Sequence, residues 1–260
     1  MASDIRSVRL AADLLRPAGP GFAAADLLSG EIPGVATRYG VVSRGRAFQY
    51  EPEKRTARVL VFLQGTGRVK CREDAYGIEE ISVFAPAGQA SFLVEAAGAD
   101  LEYLEILFQL HPEEAAGRGK AGAHFVRYSQ AVPYQEDIKS PKTVSRMLLG
   151  EGVVPRETMG SVETSGPDVV GDHRHPMLEQ LFYGLPGNHC IVHADGREIA
   201  FGENTLLHIP KGSNHGARVE AGYRLHYLWI DFFESQDGMS DFGSTHRLMS
   251  SLNSVPDSNP

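Results

Sequence analysis

The sequence predicts an all-β protein made of two similar units in tandem, and three observations carry that expectation. From about residue 38 onward the chain runs as short stretches rich in Val, Leu, Ile, Phe and Tyr. Gly, Pro and acidic turns separate them, with no helical pattern in between. A set of these stretches recurs at a near-constant spacing. Finally, a group of metal-ligating side chains stands in the second copy and is missing from the first.

Taken in order, residues 1–38 form an N-terminal segment. Val8-Arg9-Leu10-Ala11-Ala12-Asp13-Leu14-Leu15 has loosely helical spacing, and Pro17, Pro20 and Gly21 break it, so one short helix and a loop are expected there. Residues 39–112 form the first β unit, with strands over Arg58 to Leu63, Ile81 to Phe84 and Leu101 to Phe108. Residues 113–145 begin with a polar, Gly- and Ala-rich run and read as a connecting segment. Residues 146–234 form the second β unit. The tail, 235–260, is rich in Ser, Asp, Asn and Gly and poor in apolar residues.

The repeat fixes this division. Tyr103-Leu104-x-Ile106-x-Phe108 returns 124 residues later as Tyr227-Leu228-x-Ile230-x-Phe232. Pro86-x-Gly88 returns at the same offset as Pro210-x-Gly212. Earlier in each unit, Phe62 and Gly67 match Phe182 and Gly187 at an offset of 120, which places a four-residue insertion near Ala194-Asp195-Gly196-Arg197.

The chemistry-bearing stretch is Gly171-Asp172-His173-Arg174-His175-Pro176-Met177-Leu178-Glu179. On an extended strand alternate residues share a face, so His173, His175 and Glu179 are expected to project together. With His215, delivered by the tight turn Pro210-Lys211-Gly212, they make a donor set suited to a borderline divalent ion. Carried back through the repeat, these positions fall on Glu53, Arg55, Val59 and Ser91, so only the second unit is equipped.

Other residues near the stretch have weaker claims. Tyr183 follows Glu179 by four and is read as a phenolic acid or base, or else as a core aromatic. His208 precedes the second turn and is a second proton-transfer candidate, and Glu179 leaving the ion is a third. Arg174 and Lys211 at the mouth, and His226 on the last strand, are candidates for holding substrate. Tyr227, Trp229 and Asp231 share one face of that strand; His226, Leu228 and Ile230 share the other.

Composition narrows the class. The 260 residues are 42% hydrophobic and 22% charged, with net charge −8 and two cysteines. An acidic chain argues against nucleic acid as partner, and two cysteines cannot build a disulfide framework. No apolar run spans a bilayer and no signal peptide opens the chain, so a cytoplasmic protein with no membrane partner is expected.

The second unit resembles a cupin. Gly171…His173-x-His175-x3-Glu179…Gly187 is similar to that family's first motif, a Gly followed by His-x-His, three or four residues and Glu, then a Gly. Pro210-x-Gly212-x-x-His215 is similar to its second. The match covers about residues 155–233, and the degenerate repeat extends it to about 40–110. The resemblance implies two tandem jelly-roll β-barrels, a bicupin. It implies metal held by His173, His175, Glu179 and His215, with Zn, Mn, Fe or Ni all acceptable. Homo-oligomerisation as a dimer is expected from open sheet edges.

In organisation the chain is similar to the uronate isomerase branch, the type of 4-deoxy-5-ketouronate isomerase and 5-deoxyglucuronate isomerase. Glu179-Gln180-Leu181-Phe182-Tyr183 carries that likeness, although the His175-to-Glu179 gap is one residue shorter than in the branch. The expectation is a metal-dependent isomerase or lyase acting on a small polyhydroxylated keto acid or sugar through a metal-stabilised enediolate. An Fe(II) dioxygenase and a non-enzymatic sugar-binding protein are the alternatives.

Overall fold

A computed structural model describes residues 5–117, 122–136, 138–243 and 247–248. Among them the chain forms four antiparallel sheets, paired into two jelly-roll units of facing sheets. In the first unit, a large sheet has strands Ser82–Ala85, Thr56–Gln64, Leu101–Gln109, Val35–Val42 and Phe22–Leu27 side by side. The second unit repeats that order with Thr205–Ile209, Leu178–Gly184, Arg224–Phe233, Glu157–Ser165 and Val144–Val154. The smaller sheets match as well: Ala47–Tyr50, Phe92–Ala96, Gly67–Cys71 and Asp74–Ile78 against Asp168–His173, His215–Val219, His189–Ala194 and Arg197–Gly202. The duplication read in the sequence is therefore a duplication of topology.

Alternation along the strands builds three cores in a row. Leu104, Ile106 and Phe108 from the first unit face Leu228, Ile230 and Phe232 from the second, so the two large sheets pack back to back. The Phe108 and Phe232 rings lie 5.6 Å apart across that seam. Their neighbours of opposite parity fill the unit interiors, Tyr103 with Phe62 and Phe84 in the first, Tyr227 and Trp229 with Phe182 in the second. Each such side chain removed from water contributes about 1.5–3 kcal/mol. Both faces of each large sheet are thus buried, which bears on several site residues below.

The units also trade edges. Ser7–Arg9, which precedes the first unit, pairs with Thr205–Leu207 of the second. His124–Arg127, which precedes the second unit, pairs with Ser82–Ala85 of the first. Arg156, at a left-handed φ of 57°, ties the seam: its guanidinium bonds Glu114 (2.6 and 3.1 Å), Gln109 O (3.1 Å) and Phe233 O (3.1 Å).

Two expectations change in detail. Helix in the N-terminal segment is confined to one turn, Ala12–Leu14, and the flanking Arg16–Gly19 and Phe22–Leu27 form a hairpin at Gly21 (φ 72°). The connecting segment carries structure of its own, with helix Pro112–Gly117 and strands His124–Arg127 and Val132–Gln135. The tail begins with helix Gln236–Gly243, and strand Arg247–Leu248 pairs with Val132–Gln135. Residues 244–246 and 249–260 of the tail lie outside the described residues. No described helix is long and apolar enough to cross a membrane.

Candidate metal centre

Three imidazoles converge in the mouth of the second unit. His173 ends strand Asp168–His173 and His215 opens strand His215–Val219; the two are cross-strand partners. The ladder slips between Val170 and His173, a bulge that turns His173 inward. His175 lies two residues on, where Gly212 N donates to its carbonyl over 3.0 Å. Gly212 holds φ at 77°, so the turn between Pro210 and His215 needs a glycine there. The three rings sit 4.3–5.5 Å apart by centroid, and their ligating nitrogens lie within 4.8 Å of one another.

The tautomers are fixed by the backbone. A carbonyl can only accept, so His173 Nδ1–H donates to Gly171 O (2.8 Å) and His215 Nδ1–H donates to Ser213 O (3.0 Å). Each ring is left with an Nε2 lone pair. His215 is 2% exposed, and its Nε2 has no hydrogen-bond partner among the described residues. Burial holds the His215 pKa down at about 4 and lowers that of His173, so both rings stay neutral as ligands must. An orphaned, buried, neutral nitrogen among two others fits a divalent ion well.

Glu179 does not join them. The turn through Pro176 and Met177 restarts the alternation, so Glu179, Leu181 and Tyr183 face the seam between the units. The Glu179 carboxylate accepts from His208 Nε2 (3.0 Å) and Lys211 N (2.8 Å), and these bonds lower its pKa against the effect of burial. Gln180 and Phe182 face inward instead. Gln180 Nε2 donates to Asp231 Oδ1 (2.6 Å), and its carbonyl oxygen, in the same cavity as His173 and His175, is buried without a partner among the described residues. With four residues in the gap rather than three, the family motif points to Gln180, a signal that was present in the sequence.

The remaining candidates disperse. Tyr183 OH donates to Asn204 Oδ1 (3.0 Å) in the seam, where burial raises its pKa. His208 is buried between Glu179 and Glu31. His226 Nε2 meets Tyr128 OH at 3.0 Å, also on the seam face. Arg174 and Lys211 are exposed at the rim, and Lys211 pairs with Glu234. None of these five lines the cavity beside the imidazoles.

Lys139 does. The segment Ile138-Lys139 runs beside the strand that carries His173, with Gly171 N donating to Ile138 O (2.9 Å). The Lys139 ammonium is 5% exposed, donates to Ser145 Oγ (3.0 Å) and pairs with Glu136. Burial pulls its pKa down to about 7 against the opposing pull of Asp231. The cavity it shares with His173, His175, Gln180, Trp229 and Asp231 holds about 30 Å³. Lys139 falls in the stretch read as a connection, where no motif marks it.

In the first unit the same place is aromatic. Tyr50 and Phe92 are cross-strand partners as His173 and His215 are, with rings stacked 4.8 Å apart. The counterpart of His215 is thus Phe92, one residue beyond Ser91, and that of His173 is Tyr50 rather than Glu53.

No family model and no curated protein matches the sequence. Solved structures do match in shape. A Pseudomonas aeruginosa protein assigned as glyoxylate-induced superposes with a TM-score of 0.73 at 10% identity, over 87% of this chain and 88% of its own. Oxalate decarboxylase from Lactobacillus farciminis gives 0.69 at 12% identity over 90% and 87%. A cupin 2 conserved barrel domain protein from Leptotrichia buccalis gives 0.63 at 14% identity over 90% and 99%. At these identities the likeness is one of architecture, and with the duplicated topology it shows that this chain has the cupin fold, twice over in tandem.

Proposed function

We propose that the second unit is the active centre of a divalent-metal-dependent isomerase or lyase acting on a small polyhydroxylated keto acid or sugar. The observation that carries this reading is the His215 Nε2 atom, buried and without a partner among the described residues, facing two further imidazoles. His173, His175 and His215 would hold the ion, and the Gln180 carbonyl oxygen would be the fourth donor in place of Glu179. Once bound, such an ion would supply Lewis acidity beside a carbonyl and its neighbouring hydroxyl.

The chain's own groups do the rest. Asp231 fixes the Gln180 amide. Phe182, Tyr227 and Trp229 line the inner wall and exclude water. Lys139, with a pKa near neutrality, takes and returns the proton that an isomerisation or elimination beside a carbonyl must move. About 30 Å³ admits only the reacting end of a substrate, so its remainder extends toward Arg174 and Lys211 at the rim. The likeness to the uronate isomerase branch supports the isomerase form, and the oxalate decarboxylase neighbour supports the lyase form.

Elemental analysis of purified wild type and His175→Ala, with turnover assays on sugar acids and keto acids in air and under argon, tests the reading. The expected result is one divalent ion per wild-type chain, less in the variant, and turnover that survives the removal of oxygen. Equal metal content in both proteins would sink the metal centre, and turnover lost under argon would sink the isomerase or lyase reading in favour of a dioxygenase.

A further inference from the structure

A large cavity among the described residues lies in the first unit, apart from the imidazoles. It opens at the mouth of the first unit and holds about 780 Å³, within the range of small-molecule sites. We propose that it is a second binding site, for a neutral polyhydroxylated ligand of mono- or disaccharide class.

Its wall is a ladder of alternating charge across four neighbouring strands. Asp26 and Glu105 flank Arg38 as cross-strand partners, and Arg58 stands beyond Glu105 on the next strand. Arg38 lies 2.9 Å from Asp26 and 3.9 Å from Glu105; Arg58 lies 2.7 Å from Glu105 and also pairs with Glu53. Glu105 is 1% exposed, yet it lines the cavity. Buried ion pairs add little net stability compared with apolar residues of the same volume, so holding the fold is a poor account of the buried Arg58–Glu105 pair on the cavity wall.

The ladder also selects a chemistry. Two guanidinium groups stand among three carboxylates, a wall of mixed sign in which every charge has an opposite neighbour and one formal negative charge remains. A multivalent anion would meet the carboxylates, and a polyamine would meet the arginines. Vicinal hydroxyls suit both, donating to a carboxylate oxygen and accepting from the adjacent N–H with no net charge brought in. Phe48, half-buried on the facing small sheet, packs 4.0 Å from Phe22, which shares a strand face with Asp26 at the end of the ladder. Tyr50 lines the cavity where the other unit places its imidazoles, stacked on Phe92 behind it, and Arg58 lies 4.8 Å over the Tyr50 ring. A polar rail beside an aromatic plate fits a sugar ring, with hydroxyls on its edge and C–H groups on its face.

The test is calorimetry and saturation-transfer NMR on the full chain with glucose, mannose, maltose and cellobiose, using inorganic phosphate and spermidine as charged controls. At least one sugar should bind saturably, and Phe48→Ala and Arg38→Gln should each weaken it about tenfold, or about 1.4 kcal/mol. Phe48 is half-exposed at the rim, so its variant reports on binding even if Arg38→Gln does not fold. Binding should change little between about 50 mM and 500 mM salt, as expected without net charge, and should persist after treatment with a chelator. Four sugars without saturable binding would overturn the proposal, as would unchanged affinity in Phe48→Ala. Displacement by phosphate or spermidine would overturn the neutral class. Loss of sugar binding on chelation would place the ligand in the second unit instead, leaving the metal centre standing and this site refuted.

Discussion

Gln180 Nε2 donates to Asp231 Oδ1 over 2.6 Å, and that bond decides which way round the amide sits. A carboxylate only accepts, so the amide nitrogen is committed to Asp231 and the carbonyl oxygen is turned away from it, without a partner among the described residues, in the cavity beside His173 and His175. Three imidazoles and an amide oxygen form a donor set with no carboxylate in it.

Gln180→Ala is therefore expected to weaken the ion by about ten- to a hundredfold, the range seen when groups around a metal are removed. Gln180→Glu is expected to tighten it by supplying a formal negative charge. Competition with a fluorescent chelator measures both, and equal affinity in all three proteins would remove Gln180 from the donor set.

Metal removal should lower the melting temperature of the wild type, because the ion binds the folded chain and not the unfolded one. His215→Ala should melt at the same temperature with and without a chelator. Differential scanning calorimetry of the four samples decides, and a chelator effect that persists in the variant would point to another site.

Acid should destabilise the metal-free protein over a defined window. The folded pKa of His215 is held at about 4, below its ordinary value of 6.5. Above about pH 6.5 the ring is neutral in both states, and its contribution is unchanged. As pH falls from about 6.5 to about 4, the unfolded chain takes up a proton that the folded ring refuses, so stability declines; below about 4 this contribution falls no further. Urea unfolding of chelator-treated protein across that range should show the decline, and His215→Ala should flatten part of it.

Lys139→Met should abolish turnover while leaving the bound ion in place, because Lys139 lines the cavity without belonging to the imidazole group. A loss of about a hundredfold or more in kcat is the scale of a missing proton-transfer group. If metal content falls in step with activity, Lys139 is part of the scaffold rather than the chemistry.

Arg156→Ala should cost about 2–4 kcal/mol, since it strands the Gln109 and Phe233 carbonyls and the Glu114 carboxylate in the seam. Chemical denaturation reads this directly. A change below about 0.5 kcal/mol, the scale of an ordinary surface substitution, would mean that water replaces the guanidinium at little loss.

Much of this was legible in the residues. The recurrence of Tyr-Leu-x-Ile-x-Phe announced the doubled topology because both copies keep the same central strand, Leu101–Gln109 and Arg224–Phe233. The imidazoles were legible because His173 and His175 sit at a strand end and Pro210 and Gly212 shape the turn before His215. Glu179 was misplaced because a strict two-residue alternation was carried through Pro176, where the backbone turns. Tyr183 was grouped with Glu179 by its spacing of four and His208 with the turn it precedes; both lie with His226 on the face that packs in the seam. Lys139 had no motif to announce it; only the fold brings its segment alongside Val170.

The traded edge strands make the halves hostages to one another. A protease that cuts the chain between them would release nothing, because strand Ser7–Arg9 still completes the sheet beside the imidazoles and His124–Arg127 still completes the other. The nicked molecule would run as one species under native conditions and as two bands in denaturant. Neither half expressed alone would have a finished sheet, and a change at Val8, far away in sequence, would be felt at Leu206 and through that strand at the turn that presents His215.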